Sequence, residues 1–249
     1  MTNEQLVLEF PLIPKFGFDN FVVCNGNSAA FQFVKYLTNN EGNNLLYIYG
    51  PHGSGKTHLL RALAATFRPG ERRSTFPYIS FKDIDDIYHG DYPAEAVSKL
   101  AERFRDEPAL LIDDIQLLPD NPHVRTELWQ LFNDFYDSAR KIAVTGLYPP
   151  RELPNLDGHL ISRLMWGLVA KVDISDDNSL RMIMKKLADD RNILLPADVI
   201  DYLLIHTRRE LPTLIMTLEN IYRISMATNR KISLKLAREA LQLFSNVCK

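Results

Sequence analysis

The chain has 249 residues, 46% hydrophobic and 24% charged, the balance of a folded globular protein with room for one large domain or a core with a small appendage. A net charge of −2 excludes a global field that draws in nucleic acid, and having only two cysteines, Cys24 and Cys248, excludes a disulfide framework. No run approaches the ~18 apolar residues of a membrane span, and MTNEQLVLEF lacks the basic cluster of a secretory signal, so a reducing, cytoplasmic setting with no membrane partner is expected.

Residues 1–15, with Pro11 and Pro14, read as an extended tail. Phe31, Val34 and Leu37 mark a first helix, and Asn39–Asn44 a polar break. LLYIYG (Leu45–Gly50) is a short apolar run of β-favouring residues that stops at glycine, which predicts a buried strand. A glycine-rich turn then enters a helix over Lys56–Phe67. Strands are predicted at Phe76–Phe81, Ala109–Asp114, Lys141–Gly146 and Leu168–Ile174, with helices at Ala94–Arg105 and Thr126–Asp137. Strands alternating with helices imply an α/β fold, a parallel sheet flanked by helices. Beyond Ser175 only helical periodicity remains, at Ser179–Asp190, Ala197–His206, Leu211–Arg230 and Ser233–Phe244. The expected organisation is therefore a tail (1–15), an α/β domain (16–175) and a small all-helical lid (176–249). From Arg181 to Lys249 the charge is +5, so the rest stands at −7. This basic lid is either a solvated helical face or a surface that meets phosphates or an acidic partner.

Gly50-Pro51-His52-Gly53-Ser54-Gly55-Lys56-Thr57 fits the phosphate-loop pattern GxxxxGK(S/T). Its glycines let the backbone curl until N–H groups face phosphate oxygens, and the next helix directs its positive end at the same anion. Lys56 is expected to reach the β- and γ-phosphates, and the Thr57 hydroxyl to coordinate magnesium. Leu110-Leu111-Ile112-Asp113-Asp114 is an apolar run ending in two carboxylates, costly to bury without a cation nearby. Asp113 is placed on the magnesium shell, and Asp114 where it orients or deprotonates the attacking water. The expected ligands are ATP or ADP with magnesium. The six histidines show no zinc spacing, and Ser54 sits in the loop rather than in a nucleophile elbow.

Further segments resemble one family, the AAA+ nucleotide-binding core of the bacterial replication initiator DnaA. FDNFVV (Phe18–Val23) resembles its N-terminal linker, which puts Phe21 near adenine together with His58 of the first helix turn. LLIDDIQLL (Leu110–Leu118) resembles its Walker B segment, and TGLYPPREL (Thr145–Leu153) its sensor 1 strand and loop. LISRLMWGL (Leu160–Leu168) resembles box VII, and RRELPTLIMTL (Arg208–Leu218) the sensor 2 helix. The matches run from about residue 10 to about 245. The resemblance implies that Arg163 is an arginine finger pointing at a neighbour's γ-phosphate, and that Arg209, beside Arg208, is the sensor 2 arginine. It also implies a catalytic part for Thr145, because Leu147 stands where the family usually carries an aspartate. Nucleotide binding is then expected to be better preserved than rapid hydrolysis, making the chain a slow ATPase.

The sequence ends shortly after the lid segment, without the family's helix-turn-helix DNA reader, which resembles the short Hda-like regulatory paralogues of DnaA. Those begin with a sliding-clamp-binding peptide of the form QLxLx(F/L), and Gln5-Leu6-Val7-Leu8-Glu9-Phe10 stands in that place. Gln5, Leu6, Leu8 and Phe10 either insert into clamp pockets or form a strand that caps the domain's own sheet. The resulting expectation is a regulator of replication initiation with DnaA as partner, acting through Arg163 in trans and capable of head-to-tail self-association. The alternative is a DNA-binding assembly or helicase-loader-like ATPase. For that reading Lys82–Arg105, which holds Lys82, Lys99, Arg103 and Arg105 among many acids, gives a modest signal for single-stranded DNA. A nucleotide kinase is disfavoured by the helical lid.

Overall fold

The structure is a computed structural model and describes residues 16–39, 42, 44–67, 78–81, 104–154 and 156–247. Helix α1 spans Ser28–Thr38, strand β1 Leu45–Tyr49 and helix α2 Lys56–Thr66. Strands β2 (Tyr78–Ser80) and β3 (Ala109–Asp113) follow, then helix α3 (Pro122–Asp137) and strand β4 (Lys141–Gly146). A short helix α4 (Gly158–Leu164) leads into β5 (Leu168–Lys171). Four helices complete the chain: α5 (Asp177–Asp190), α6 (Ala197–His206), α7 (Leu211–Thr228) and α8 (Leu234–Val247).

The five strands form one parallel sheet in the order β2-β3-β4-β1-β5. Alternate residues of β1, β3 and β4 enter opposite layers of core, which is why these strands read as apolar runs, whereas the edge strand β5 turns Val169 and Lys171 to solvent. Leu46, Ile48, Leu111 and Ala143 face α1 and α2 through Val34, Leu37, Leu59 and Leu63. Leu45, Tyr47, Leu110, Ile112, Ile142 and Val144 face α3 and α4 through Leu128, Leu131, Phe135 and Leu164. The first layer continues without a break into the last four helices, through Ile174, Leu180, Met184, Leu203, Leu214 and Leu236. The α/β sheet followed by a small helical bundle is the architecture expected from the periodicity.

Some bounds differ from the sequence reading. Helix α3 starts at Pro122 rather than Thr126, because the Asn121 side chain accepts from the His123 and Val124 N–H groups and proline is tolerated in the first turn. Helix α4 escaped the periodicity reading because seven residues hold two turns, too few for a repeating face. Strand β5 stops at Lys171, since past Tyr49 the partner strand has turned into the glycine loop. The expected tail 1–15 and most of the expected helix Ala94–Arg105 lie outside the described residues. No helix among the described residues is long and apolar enough to cross a membrane.

Candidate functional site

The loop between β1 and α2 crosses the C-terminal edge of the sheet, where ligands bind in open parallel α/β sheets. Two of its glycines are dictated by geometry. Gly55 is the N-cap of α2 with φ +98°, a left-handed conformation unfavourable for other residues, and it offers no side-chain acceptor to the first helical N–H groups. Gly53 has φ +72°, and a Cβ there would lie 2.2 Å from Pro212 Cγ at the start of α7, so the last helices press directly on the loop.

Lys56, only 5% exposed, donates from Nζ to the carbonyls of Gly50 at 2.8 Å and Pro51 at 2.9 Å. Burial pushes its ammonium below the usual lysine range, and the charges of Asp114 and Asp113 pull it partly back. Ser54 Oγ is buried in the same loop without a hydrogen-bond partner among the described residues. A buried orphan hydroxyl, uncapped helix N–H groups and a buried ammonium together suit an oxygen-rich anion.

Beneath the loop, Asp113 at the end of β3 is 2% exposed. Thr57 Oγ1 and the Tyr78 phenol each donate to its Oδ2 at 2.7 Å, and Thr145 of β4 donates to its Oδ1. Burial, then the neighbouring Asp113 charge, push the Tyr78 phenol far above its ordinary range, so it remains a donor. A buried carboxylate beside a threonine hydroxyl is a hard oxygen donor set that fits magnesium. Asp114 adopts the left-handed conformation, φ 54° and ψ 51°. Its N–H donates to Thr145 Oγ1 at 3.1 Å, and Gln116 donates to its Oδ1 at 3.0 Å. Gln116 in turn accepts from the Leu147 N–H at 3.1 Å. Leu147 thus reaches Asp114 through its backbone, by way of Gln116.

A cavity of about 620 Å³, the size of a small-molecule site, opens over Lys56 and Thr57 and includes Asp114 in its lining. One wall is aromatic. His58 meets the edges of Phe16 and Phe21 with centroids 5.4 and 5.1 Å away, and its Nε2 lies 2.9 Å from the Gly17 carbonyl. Phe21 stacks on Phe31 at 5.7 Å. Burial lowers the His58 pKa against smaller raising contributions from the Gly17 carbonyl, Asp19 and Asp190, which favours the neutral ring. The opposite wall comes from α5 and α7. It carries Lys186 paired with Asp190, and Arg191 paired with Glu219 at 3.1 Å.

The residues Phe21, His52, Gly53, Ser54, Gly55, Lys56, Thr57, His58 and Asp114 all line this cavity, with Asp113 and Thr145 hydrogen-bonded just below it. Gly50 and Pro51 contribute carbonyls to Lys56. Arg209 does not line it. Its guanidinium, 56% exposed, lies 3.2 Å from Asp177 at the start of α5. Arg163, on α4, also stands apart from the cavity. Its Cζ is 4.6 Å from the Trp166 ring, 5.1 Å from Tyr136 and 5.4 Å from Trp129. Among the described residues no carboxylate pairs with it, whereas Arg125, Arg181, Arg191, Arg209 and Arg230 each meet an acid.

A family model of the bacterial DnaA ATPase domain matches residues 12–171, and one of the Hda lid domain matches residues 165–241. This chain belongs to the bacterial DnaA ATPase-domain family. DnaA of Limosilactobacillus fermentum is 30% identical over 236 residues, covering 94% of this chain and 54% of the relative. DnaA of Caldanaerobacter subterraneus is 29% identical over 242 residues, covering 96% and 55%. The chain therefore spans about half the length of these DnaA proteins. Domain III of Thermotoga maritima DnaA superposes with a TM-score of 0.80 at 28% identity, covering 94% of this chain and 98% of that one. AMPPCP-bound DnaA of Aquifex aeolicus gives 0.68 at 27% identity, covering 86% and 65%.

The sequence reading of this DnaA-type core missed Tyr78, Gln116, Arg191 and Glu219. Tyr78 sat inside a segment read only as a strand, and Gln116 inside a segment read for its two aspartates. The signal for Gln116 was its place just past the C-terminal end of β3, where parallel sheets gather polar groups, whereas Tyr78 opens β2 and carried no such signal. Gln5, Leu6, Leu8 and Phe10, and Lys82–Arg103, lie outside the described residues.

Proposed function

We propose that this chain is a cytoplasmic regulator of chromosomal replication initiation that binds ATP or ADP with magnesium and offers Arg163 to a triphosphate held by a neighbouring DnaA subunit. One observation carries the nucleotide reading: Lys56, Thr57, Asp113 and Asp114 converge at the C-terminal edge of one parallel sheet, under a cavity walled by Phe16, Phe21 and His58. The AMPPCP bound by Aquifex aeolicus DnaA supports it. In this reading the N–H groups of the loop and of α2 hold phosphate oxygens, and Lys56 exchanges two carbonyls for them. Thr57 and Asp113 hold magnesium, which when bound supplies positive charge against the phosphates. Asp114, fixed by Gln116, Thr145 and its own left-handed backbone, orients a water. Arg209 leaves Asp177 for the phosphates, which couples the bound nucleotide to the angle of the lid (176–249) on the α/β domain (16–175). With Leu147 in the sensor loop, hydrolysis by the chain itself is slow.

The regulatory part rests on Arg163. A guanidinium set among three rings, with no carboxylate partner among the described residues, suits a group acting on another subunit's phosphate. The Hda-type lid match supports the same reading. The segment Gln5–Phe10 provides the clamp peptide that brings the regulator to DNA-bound DnaA. The test mixes the chain with ATP-loaded DnaA, clamp and DNA and follows ATP decay. Acceleration that disappears in Arg163→Ala is expected. No acceleration, or equal acceleration by the variant, removes the proposal. ATP-dependent binding of single-stranded DNA that weakens steeply with salt, without acceleration, points instead to a DNA-assembling ATPase.

A further inference from the structure

An ionised carboxylate offers about four lone-pair sites, two on each oxygen. Three hydroxyls already draw on the buried Asp113. Thr57 Oγ1 and the Tyr78 phenol occupy both sites of Oδ2, and Thr145 takes one site of Oδ1. Thr57 belongs to the phosphate loop and Thr145 to β4 beside Asp114, so both have a place in the nucleotide reading. Tyr78 has none there. It comes from the edge strand β2, two residues before Ser80, the register partner of Asp113. Arg61 of α2 lies 5.5 Å from its ring and also draws on its phenol oxygen, opposing the rise in its pKa. The phenol is therefore aimed by the fold at the oxygen that Thr57 also uses.

A divalent cation held at Thr57 would turn the hydrogens of its bound waters towards this same carboxylate. With Tyr78 in place, one site on Oδ1 is left for them, on the oxygen away from Thr57. We infer that Tyr78 is a positioning residue that competes with the cation's hydration shell for Asp113 and so sets how strongly nucleotide binding depends on magnesium. The inference rests on the nucleotide reading above and adds to it a residue with the opposite effect to its neighbours. Losing the Thr57 or Asp113 oxygen weakens metal-assisted binding, whereas losing the Tyr78 hydroxyl strengthens it.

The experiment titrates magnesium chloride into the full chain with fluorescent ADP and compares wild type, Tyr78→Phe, Asp113→Asn and Lys56→Ala. Tyr78→Phe keeps the ring beside Arg61 and removes the hydroxyl that donates to Asp113. Its magnesium half-point is expected to fall roughly three- to tenfold, about the size of one ordinary hydrogen bond regained. Its affinity for ADP without magnesium is expected to match wild type, which also shows that the variant is folded. A half-point that is unchanged or higher, or metal-free affinity that moves by the same factor, overturns the inference. The two readings fail differently. If ADP binds wild type and is lost in Lys56→Ala while Tyr78→Phe leaves the half-point in place, the Tyr78 inference alone falls. If Asp113→Asn leaves the wild-type magnesium curve unmoved, the metal assignment falls with it.

Discussion

Replacing Lys56 by alanine separates binding from folding. In the folded chain the ammonium holds two loop carbonyls at 2.8 and 2.9 Å, and charge-assisted hydrogen bonds of that kind contribute about 1.5–3 kcal/mol each. Against this stands the cost of burying the ammonium, which the downward shift of its pKa records. The two effects oppose each other, and the net change in stability is expected within about 2 kcal/mol, a loss of at most roughly 4–8 °C in melting temperature. Binding has no such offset. Removing one partner of a buried charge pair costs about 2–5 kcal/mol, so nucleotide affinity is expected to fall roughly 30- to 4,000-fold. Isothermal calorimetry with ATP and ADP on wild type and Lys56→Ala, alongside a thermal melt, measures both. Unchanged affinity in a variant that still melts cooperatively would refute the site assignment. Loss of the cooperative melt would refute the claim that Lys56 is there for the ligand rather than the fold.

Further outcomes follow from local geometry. Asn121→Ala removes the side-chain oxygen that caps α3 and is expected to cost about 1 kcal/mol, read as a shift in the urea midpoint with unchanged slope. Ala139 holds a left-handed φ of 53°, so Ala139→Gly is expected to stabilise by roughly 0.5–1 kcal/mol; a lower melting temperature would contradict the strain argument. Phe135→Ala in the α3 layer of the core is expected to destabilise by about 3–5 kcal/mol. His58 is held below its ordinary pKa by burial, so the unfolded chain binds the proton more readily. Its contribution to stability is complete above about pH 6.5 and is lost as pH falls below that value. Urea unfolding at pH 5.5 and 7.5 should show a smaller acid penalty in His58→Gln than in wild type.

The central strands β1, β3 and β4 were legible because burial on both faces leaves a strand no polar alternation. Lys141–Gly146 matches the observed strand to the residue, a run of six buried positions. Lys56, Thr57 and Asp113 were legible because phosphate and metal chemistry constrain residue type at fixed local spacing, which survives without knowledge of the fold. What the sequence left open involves contacts that only chain reversal creates. Tyr78 meets Asp113 across 35 residues, and Gln116 meets Leu147 across 31. Neither spacing carries a local pattern, because the distance is set by strand register and not by helical or strand period. The arginines divide in the same way. The residue types marked Arg163 and Arg209, but only the packing of α3, α4 and α5 decided that three rings hold the first and Asp177 the second. A side chain's partner depends on which surfaces fold together, and no single segment contains that information.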